Sequence, residues 1–248
     1  MAKKIQHRLF VDVSLPGTGT LTLESDQSHY LANVMRASVG DSVALFNGHE
    51  GEWASEVAEL KKRAVVLRII EKIKEQITEP ELTLAFAPIK KARLDFIAQK
   101  ATELGVAHLQ PVYTRRTIVD RVKTERLQAN AVEAAEQCER LTVPTTADPI
   151  KLSQFLAELP DDQMVMFCDE DKSGKSAHSA LAELSYEQKR SPWTIIIGPE
   201  GGFDDSERAA IKERANTVVV ALGPRVLRAD TAAMAAISLW QSAIGDWA

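Results

Sequence analysis

Two short apolar runs near the C-terminal end of the chain stop at Gly-Pro: Trp193-Thr-Ile-Ile-Ile-Gly198-Pro-Glu-Gly-Gly-Phe203, and Val218-Val-Val-Ala-Leu-Gly223-Pro-Arg-Val-Leu-Arg-Ala-Asp230-Thr. Such β-branched runs fit strands covered on both faces of a parallel sheet, and ligands in these sheets gather at the carboxyl ends of the strands. Between them, Asp204-Asp-Ser-Glu207 has the spacing of a capping box, which predicts a helix to about Ala215 with Ala209, Ala210 and Ile211 available for burial. The unit reads strand, loop, helix, strand, loop. Gly198, Gly201 and Gly202 are expected to bare backbone amides to a flat, polar, nucleotide-like cofactor. Neither loop has the Gly-Lys-Ser/Thr or the Gly-x-Gly-x-x-Gly of a phosphate cradle.

The alternation continues upstream. Leu82 to Ile89, Val106 to Tyr113 (broken by Pro111) and Met164 to Cys168 read as strands, while Ala92 to Leu104, closed by Gly105, and Thr124 to about Arg140 read as helices. Strands alternating with helices argue an α/β sheet layered by helices. Alanine-rich Thr231 to about Ile244 is a final helix, expected to be part core and part subunit interface. Residues 1 to 74 have a different, period-two texture: Val43 to Phe46 and Trp53 to Leu60 flank the turn Asn47-Gly48, Ala64 to Ile70 follows, and His29 to Arg36 looks like one short helix. The polar stretch 75 to 81, with Pro80, reads as a linker to a second domain over 82 to 248.

Hydrophobic residues make up 45% and charged ones 26% of the 248 residues, which suits a chain that buries a core. No apolar run has transmembrane length and Met-Ala-Lys-Lys is not followed by a signal core, so a cytoplasmic protein is expected. Cys138 and Cys168 have neither metal nor disulfide spacing and read as small buried apolar residues; no metal is expected. Asp169-Glu-Asp171 reads as a solvated loop rather than a Mg²⁺ site. The net charge of −5 opposes a polyanionic partner, yet residues 86 to 126 hold nine basic and four acidic side chains. A basic strip is therefore available around Lys90, Lys91, Arg93, Arg115, Arg116, Arg121 and Lys123.

Ile197-Gly-Pro-Glu-Gly-Gly-Phe203 with Glu207, then Ala221-Leu-Gly-Pro-Arg-Val-Leu-Arg228 and Thr231-Ala232, resembles the signature of the knotted SPOUT-class RNA methyltransferases. Within that class the chain is most similar to the RsmE family, the 16S (small-subunit) ribosomal RNA uridine N3 methyltransferases. The likeness extends to Lys100-Ala-Thr-Glu-Leu-Gly105, Thr114-Arg-Arg116, Glu133-Ala-Ala-Glu-Gln137 with Arg140 and Pro144, His29-Tyr-Leu-Ala-Asn-Val-Met-Arg36 and Val39-Gly-Asp41, nearly the whole chain. Ala229-Asp230 departs from the Thr-Glu of many relatives, which puts a role for Asp230 in doubt.

The resemblance implies a PUA-like RNA-binding barrel over residues 1 to 74, a knotted methyltransferase domain over 82 to 248, a homodimer formed through the C-terminal domain, and S-adenosyl-L-methionine as cofactor. Cofactor contacts fall on Gly198, Glu200, Gly201, Gly202, Leu222, Gly223, Arg225, Leu227 and Arg228. Arg228 is the expected stabiliser of charge on the uracil, and Glu200 a proton acceptor or a partner for an arginine; the bland alternative pairs Arg228 with Asp230 or Glu200. Arg8, His29 and Arg36 are expected to face RNA, and Arg115 and Arg116 to meet phosphate, on an arginine-lined face drawn from both domains. Two other functions remain open from the residues: methylation of another ribosomal or transfer RNA nucleotide by the same fold, and a noncatalytic ribosome-assembly factor.

Overall fold

A computed structural model describes residues 4–62, 64–171 and 173–248, with the backbone alone at Lys91. By their contacts the residues form two units, 1–78 with 135–143, and 79–134 with 144–248. The sequence reading had assigned 135–143 to the C-terminal domain.

The first unit contains β1 (His7–Phe10), β2 (Gly19–Thr22), α1 (Ser25–His29), β3 (Ser42–Phe46), β4 (Glu52–Lys61) and β5 (Ala64–Lys74). Its sheet runs β1-β3-β4-β5-β2, antiparallel except for β1 beside β3. Leu9, Leu31, Val43, Leu45, Val57 and Leu67 fill one core, and Phe46 joins Ala135 and Leu141 in another. The Asn47 side-chain carbonyl accepts the amides of His49 and Glu50, which closes the turn expected there. The helix expected over His29 to Arg36 starts earlier, at Ser25, widens into a π-helical turn at Tyr30–Val34, and leaves Arg36 at a left-handed φ of 56°.

The second unit contains β6 (Leu82–Phe86), α2 (Lys91–Glu103), β7 (His108–Tyr113), most of α3 (Thr124–Gln137), β8 (Thr145–Thr146), β9 (Ile150–Lys151), α4 (Leu152–Glu158), β10 (Met164–Cys168), β11 (Lys175–Ser176), α5 (Ala177–Ala182), α6 (Tyr186–Arg190), β12 (Trp193–Ile197), α7 (Asp205–Lys212), β13 (Thr217–Ala221) and α8 (Ala229–Ala243). The strands pair in parallel in the order β11-β13-β10-β12-β6-β7-β8, with β9 beside the end of β7. Every residue of β12 is buried, as its apolar run requires. β13 is less covered, with Val220 alone fully buried, because its outer neighbour β11 is two residues long.

Pro111 does not break β7. On one side β7 pairs with β6 from His108 to Pro111; on the other, β8 takes His108 and Leu109 and β9 takes Val112 and Tyr113. The second neighbour is missing at Gln110 and Pro111, so the absent proline donor leaves no ladder bond unmade. In α7, Ile211 is buried as expected, whereas Ala209 and Ala210 are exposed and the helix ends at Lys212. Cys138 is exposed, contrary to expectation, and Cys168 is half-buried at the end of β10.

The Glu-Leu-Gly stretch has a packing reason. Leu104 caps α2, Gly105 turns away at φ 83°, and the fully buried Gln241 of α8 donates to the Leu104 carbonyl at 2.8 Å. A Cβ on Gly105 would sit 2.5 Å from the Gln241 amide nitrogen. Gly105→Ala combines left-handed strain with that collision and is expected to destabilise the protein by about 2 kcal/mol or more, read as a lower urea midpoint; an unchanged midpoint would contradict this role.

Candidate active site

Strand order decides which loops meet. β10 lies between β12 and β13, so the segment after β10 sits at the carboxyl edge of the sheet between the two glycine-containing loops, 198–204 and 222–228. The capping box on α7 forms as its spacing predicts: Asp204 accepts the Glu207 amide at 2.8 Å and Glu207 accepts the Asp204 amide at 3.1 Å.

In the acidic run after β10, Glu170 and Asp171 are exposed as expected, but Asp169 is buried and all three carboxylates are paired. Asp169 is buried and accepts Arg208 Nε at 3.0 Å, with Lys212 Nζ 2.7 Å from its other oxygen. Glu170 also binds Arg208, and accepts the Phe203 amide at 3.2 Å. Asp171 meets Lys212 at 3.3 Å; burial favours its neutral form, but hydrogen bonds from Ser173 and Lys212 outweigh this and hold its carboxyl well below the usual carboxylate range. The run thus anchors α7, and through Phe203 the β12 loop, to the end of β10. Burial pushes the Cys168 thiol up, which leaves it protonated and unreactive near neutral pH.

The glycines divide by task. A side chain at Gly198 would strike the Phe203 ring and one at Gly202 would strike the Glu170 carboxylate, whereas one at Gly201 would only touch Arg116. At Gly198 and Gly202 the place of a Cβ is taken by a neighbour, which fixes the loop against Phe203 and Glu170. Gly223 is different: its φ is 106° and nothing lies within 4 Å of where a Cβ would stand, so the main chain is open there. Cys168, Leu222, Gly223, Arg225 and Leu227 line a cleft of about 60 Å³ at this point. Alone it is smaller than ligand sites usually are. Val226 and Leu227 line both this cleft and a cavity of about 390 Å³ lined also by Lys90, Arg93, Glu200 and Arg228. The two adjoin, and together bring an apolar wall, an open backbone and a charged rim to one place. A larger hollow, about 470 Å³, lies between the end of β7, α4 and α7, but no glycine turn or buried unpaired cation borders it.

Arg228 caps α8, is exposed, and makes no ion pair with any described residue. The pairing considered for it belongs to Arg93 of α2, whose Nη1 lies 3.5 Å from Asp230 and 3.9 Å from Glu200. Arg93 stood in the basic strip, but its place among these acids depends on the helix phase and strand order. The side chain of Lys91, in the same strip, lies outside the described residues. Arg115 and Arg116 turn to the β12 loop: the Arg115 amide donates to Glu207 at 2.8 Å and its guanidinium meets Asp204 at 3.0 Å, while Arg116 donates to the Gly201 carbonyl at 3.0 Å. The sequence reading missed this bracing.

Residues 77–241 match an RNA methyltransferase domain and 23–70 an RNA methyltransferase PUA domain. The ribosomal RNA small subunit methyltransferase E of Rickettsia conorii is 33% identical over 94% of this chain and 93% of its own length. The chain belongs to the ribosomal RNA small subunit methyltransferase E family. The Bacillus subtilis member is 31% identical over 88% of each chain. Two solved structures carry bound S-adenosylmethionine: the Neisseria gonorrhoeae member of this family (TM-score 0.86, 26% identical, covering 98% of this chain and 99% of that one) and a Legionella pneumophila methyltransferase (TM-score 0.86, 29% identical, covering 96% and 98%).

Among the residues that the family resemblance turned toward RNA, His29 and Arg36 are exposed; the His29 ring meets the Asn33 amide at 3.0 Å. Arg8 is not exposed. Its guanidinium is buried against Glu52, donates to the carbonyls of Ala135 and Arg140, and lies 3.8 Å over the Phe46 ring. This makes it a structural cation of the first unit. Arg8→Ala strands the buried Glu52 with Lys74 alone and should cost roughly 3 kcal/mol, measured by urea denaturation; intact stability with weakened RNA binding would restore the surface role.

Proposed function

We propose that this protein transfers a methyl group from S-adenosylmethionine to N3 of a specific uridine in 16S ribosomal RNA. The observation that carries the reading is the open main chain at Gly223, flanked by Leu222 and Leu227 and adjoining the cavity of Arg93, Glu200 and Arg228. The family membership and the relatives solved with bound S-adenosylmethionine support it.

Leu222, Gly223, Arg225, Leu227 and Arg228 would hold the cofactor from one loop, and Gly198, Glu200, Gly201 and Gly202 from the other, with Arg116 bracing the second. When bound, the cofactor supplies a methyl group already on a good leaving group, a sulfonium. The protein's main task is then alignment, which is worth several kcal/mol. Uracil N3 is a protonated imide at neutral pH, so a base must take its proton while a cation steadies the charge left on the ring. We assign these roles to Glu200 and Arg228. The guanidinium of Arg228, unpaired among the described residues, stays charged and suits a carbonyl oxygen.

His29 and Arg36 of the first unit, with Arg115 and Arg116 of the second, are the RNA contacts we infer; Arg8 is withdrawn from that set. We also infer a homodimer through the C-terminal unit: Leu239 on α8 and Phe96 on the adjacent α2 are exposed apolar side chains on an alanine-rich packing surface. Among the described residues no helix is long and apolar enough to cross a membrane, and a ribosomal RNA substrate implies the cytoplasm.

Nucleoside analysis of small-subunit ribosomal RNA treated with the protein and S-adenosylmethionine should show 3-methyluridine. Arg228→Ala should lower turnover by about 100-fold or more, the usual loss for one charge-stabilising donor, with an unchanged melting curve. Methylation at another atom, or full turnover by the variant with saturating cofactor, would overturn the assignment.

A further inference from the structure

The cavity beside the cofactor cleft has a composition that the cofactor does not explain. Its walls are Val226, 80% exposed, and Leu227; its rim is Lys90, Arg93 and Arg228 with Glu200. Arg93 is placed unusually. Its Nη1 is buried and has no hydrogen-bond partner among the described residues, although Asp230 and Glu200 stand at 3.5 and 3.9 Å, within ion-pair range and beyond good hydrogen-bonding distance. A buried donor left unmade is costly, so the guanidinium is held loosely by two acids and gains when a ligand draws the group together.

We propose that this cavity takes the acceptor base and that Arg93 is a second catalytic cation, holding a carbonyl oxygen next to the reacting nitrogen. The inference rests on the uridine methylation proposed above. A flat pyrimidine can lie against Val226 and Leu227, which a phosphate would not use. Those two residues line both the cofactor cleft and this cavity, so a base seated against them lies next to the methyl donor. Two carboxylates at Arg93 disfavour a third from the cofactor but not a neutral carbonyl, which becomes negative only as the imide proton leaves for Glu200. Arg228 then has one carbonyl to serve and Arg93 the other. Asp230 becomes a positioning residue: it fixes the plane of Arg93 and touches no reacting atom.

The test uses the full-length protein, 16S ribosomal RNA and S-adenosylmethionine. Arg93→Ala should lower kcat by about 100-fold while the calorimetric Kd for S-adenosylmethionine stays within about threefold, well under one decade of affinity. The deficit should shrink as the pH rises, because the imide then ionises without help. Arg93→Lys should recover part of the loss, lacking the planar fork, and Asp230→Asn should show a smaller fall of the same pH-dependent kind. Three results would overturn the proposal: Arg93→Ala turning over within about threefold of the parent, S-adenosylmethionine affinity falling as far as turnover, or a deficit that does not change with pH. If Arg93→Ala does not fold, Arg93→Lys decides, and parental kcat in it sinks the idea. A parent that binds S-adenosylmethionine but methylates a different atom breaks the uridine reading instead, a failure visible without any variant.

Discussion

Asp169 is buried at the end of β10, and a buried carboxylate persists only when cations meet it. Arg208 and Lys212, both on α7, do so. That contact fixes α7 against the middle strand of three, and α7 begins at the capping box that closes the β12 loop. Glu170 adds a direct hold on that loop through the Phe203 amide. The β12 loop is thus set by a cluster of charges that takes no part in the chemistry, while the β13 loop stays open at Gly223.

This division matters because catalysis by alignment needs one rigid side and one approachable side. The rigid side is overdetermined. Phe203 fills the space at Gly198, Glu170 that at Gly202, and Arg116 lies along Gly201 and bonds its carbonyl. The approachable side carries an exposed Val226 and a backbone with no neighbour over Gly223. Between them stand two arginines in different states: Arg228 unpaired among the described residues and Arg93 loosely held by two acids.

Much of this was legible in the residues. The β-branched runs gave β12 and β13 and the apolar run Met164 to Cys168 gave β10, nearly to the residue; the Asp204 and Glu207 spacing gave the cap of α7, and Gly105 marked the end of α2. Pairwise choices in space were not legible. The pairing of Asp169-Glu-Asp171 and the burial of Asp169 did not show because the partners lie some forty residues away on a helix whose facing depends on strand order. The neighbours of the β12-loop glycines were hidden because sequence does not say which side chain stands beside each one. Arg8 looked like an RNA contact because Glu52 and the carbonyls of Ala135 and Arg140 come to it from distant parts of the chain. Pro111 looked like a break because the absence of a second neighbour at that point is a property of the sheet.

Hydrogen exchange with and without S-adenosylmethionine tests most directly whether the three adjoining strand ends form the cofactor site. Slower exchange on addition of the compound should be confined to peptides covering 168–172, 198–204 and 222–228. Protection that instead appears around the hollow bordered by α4 and α7, or no protection at any of the three segments at saturating compound, would contradict the account.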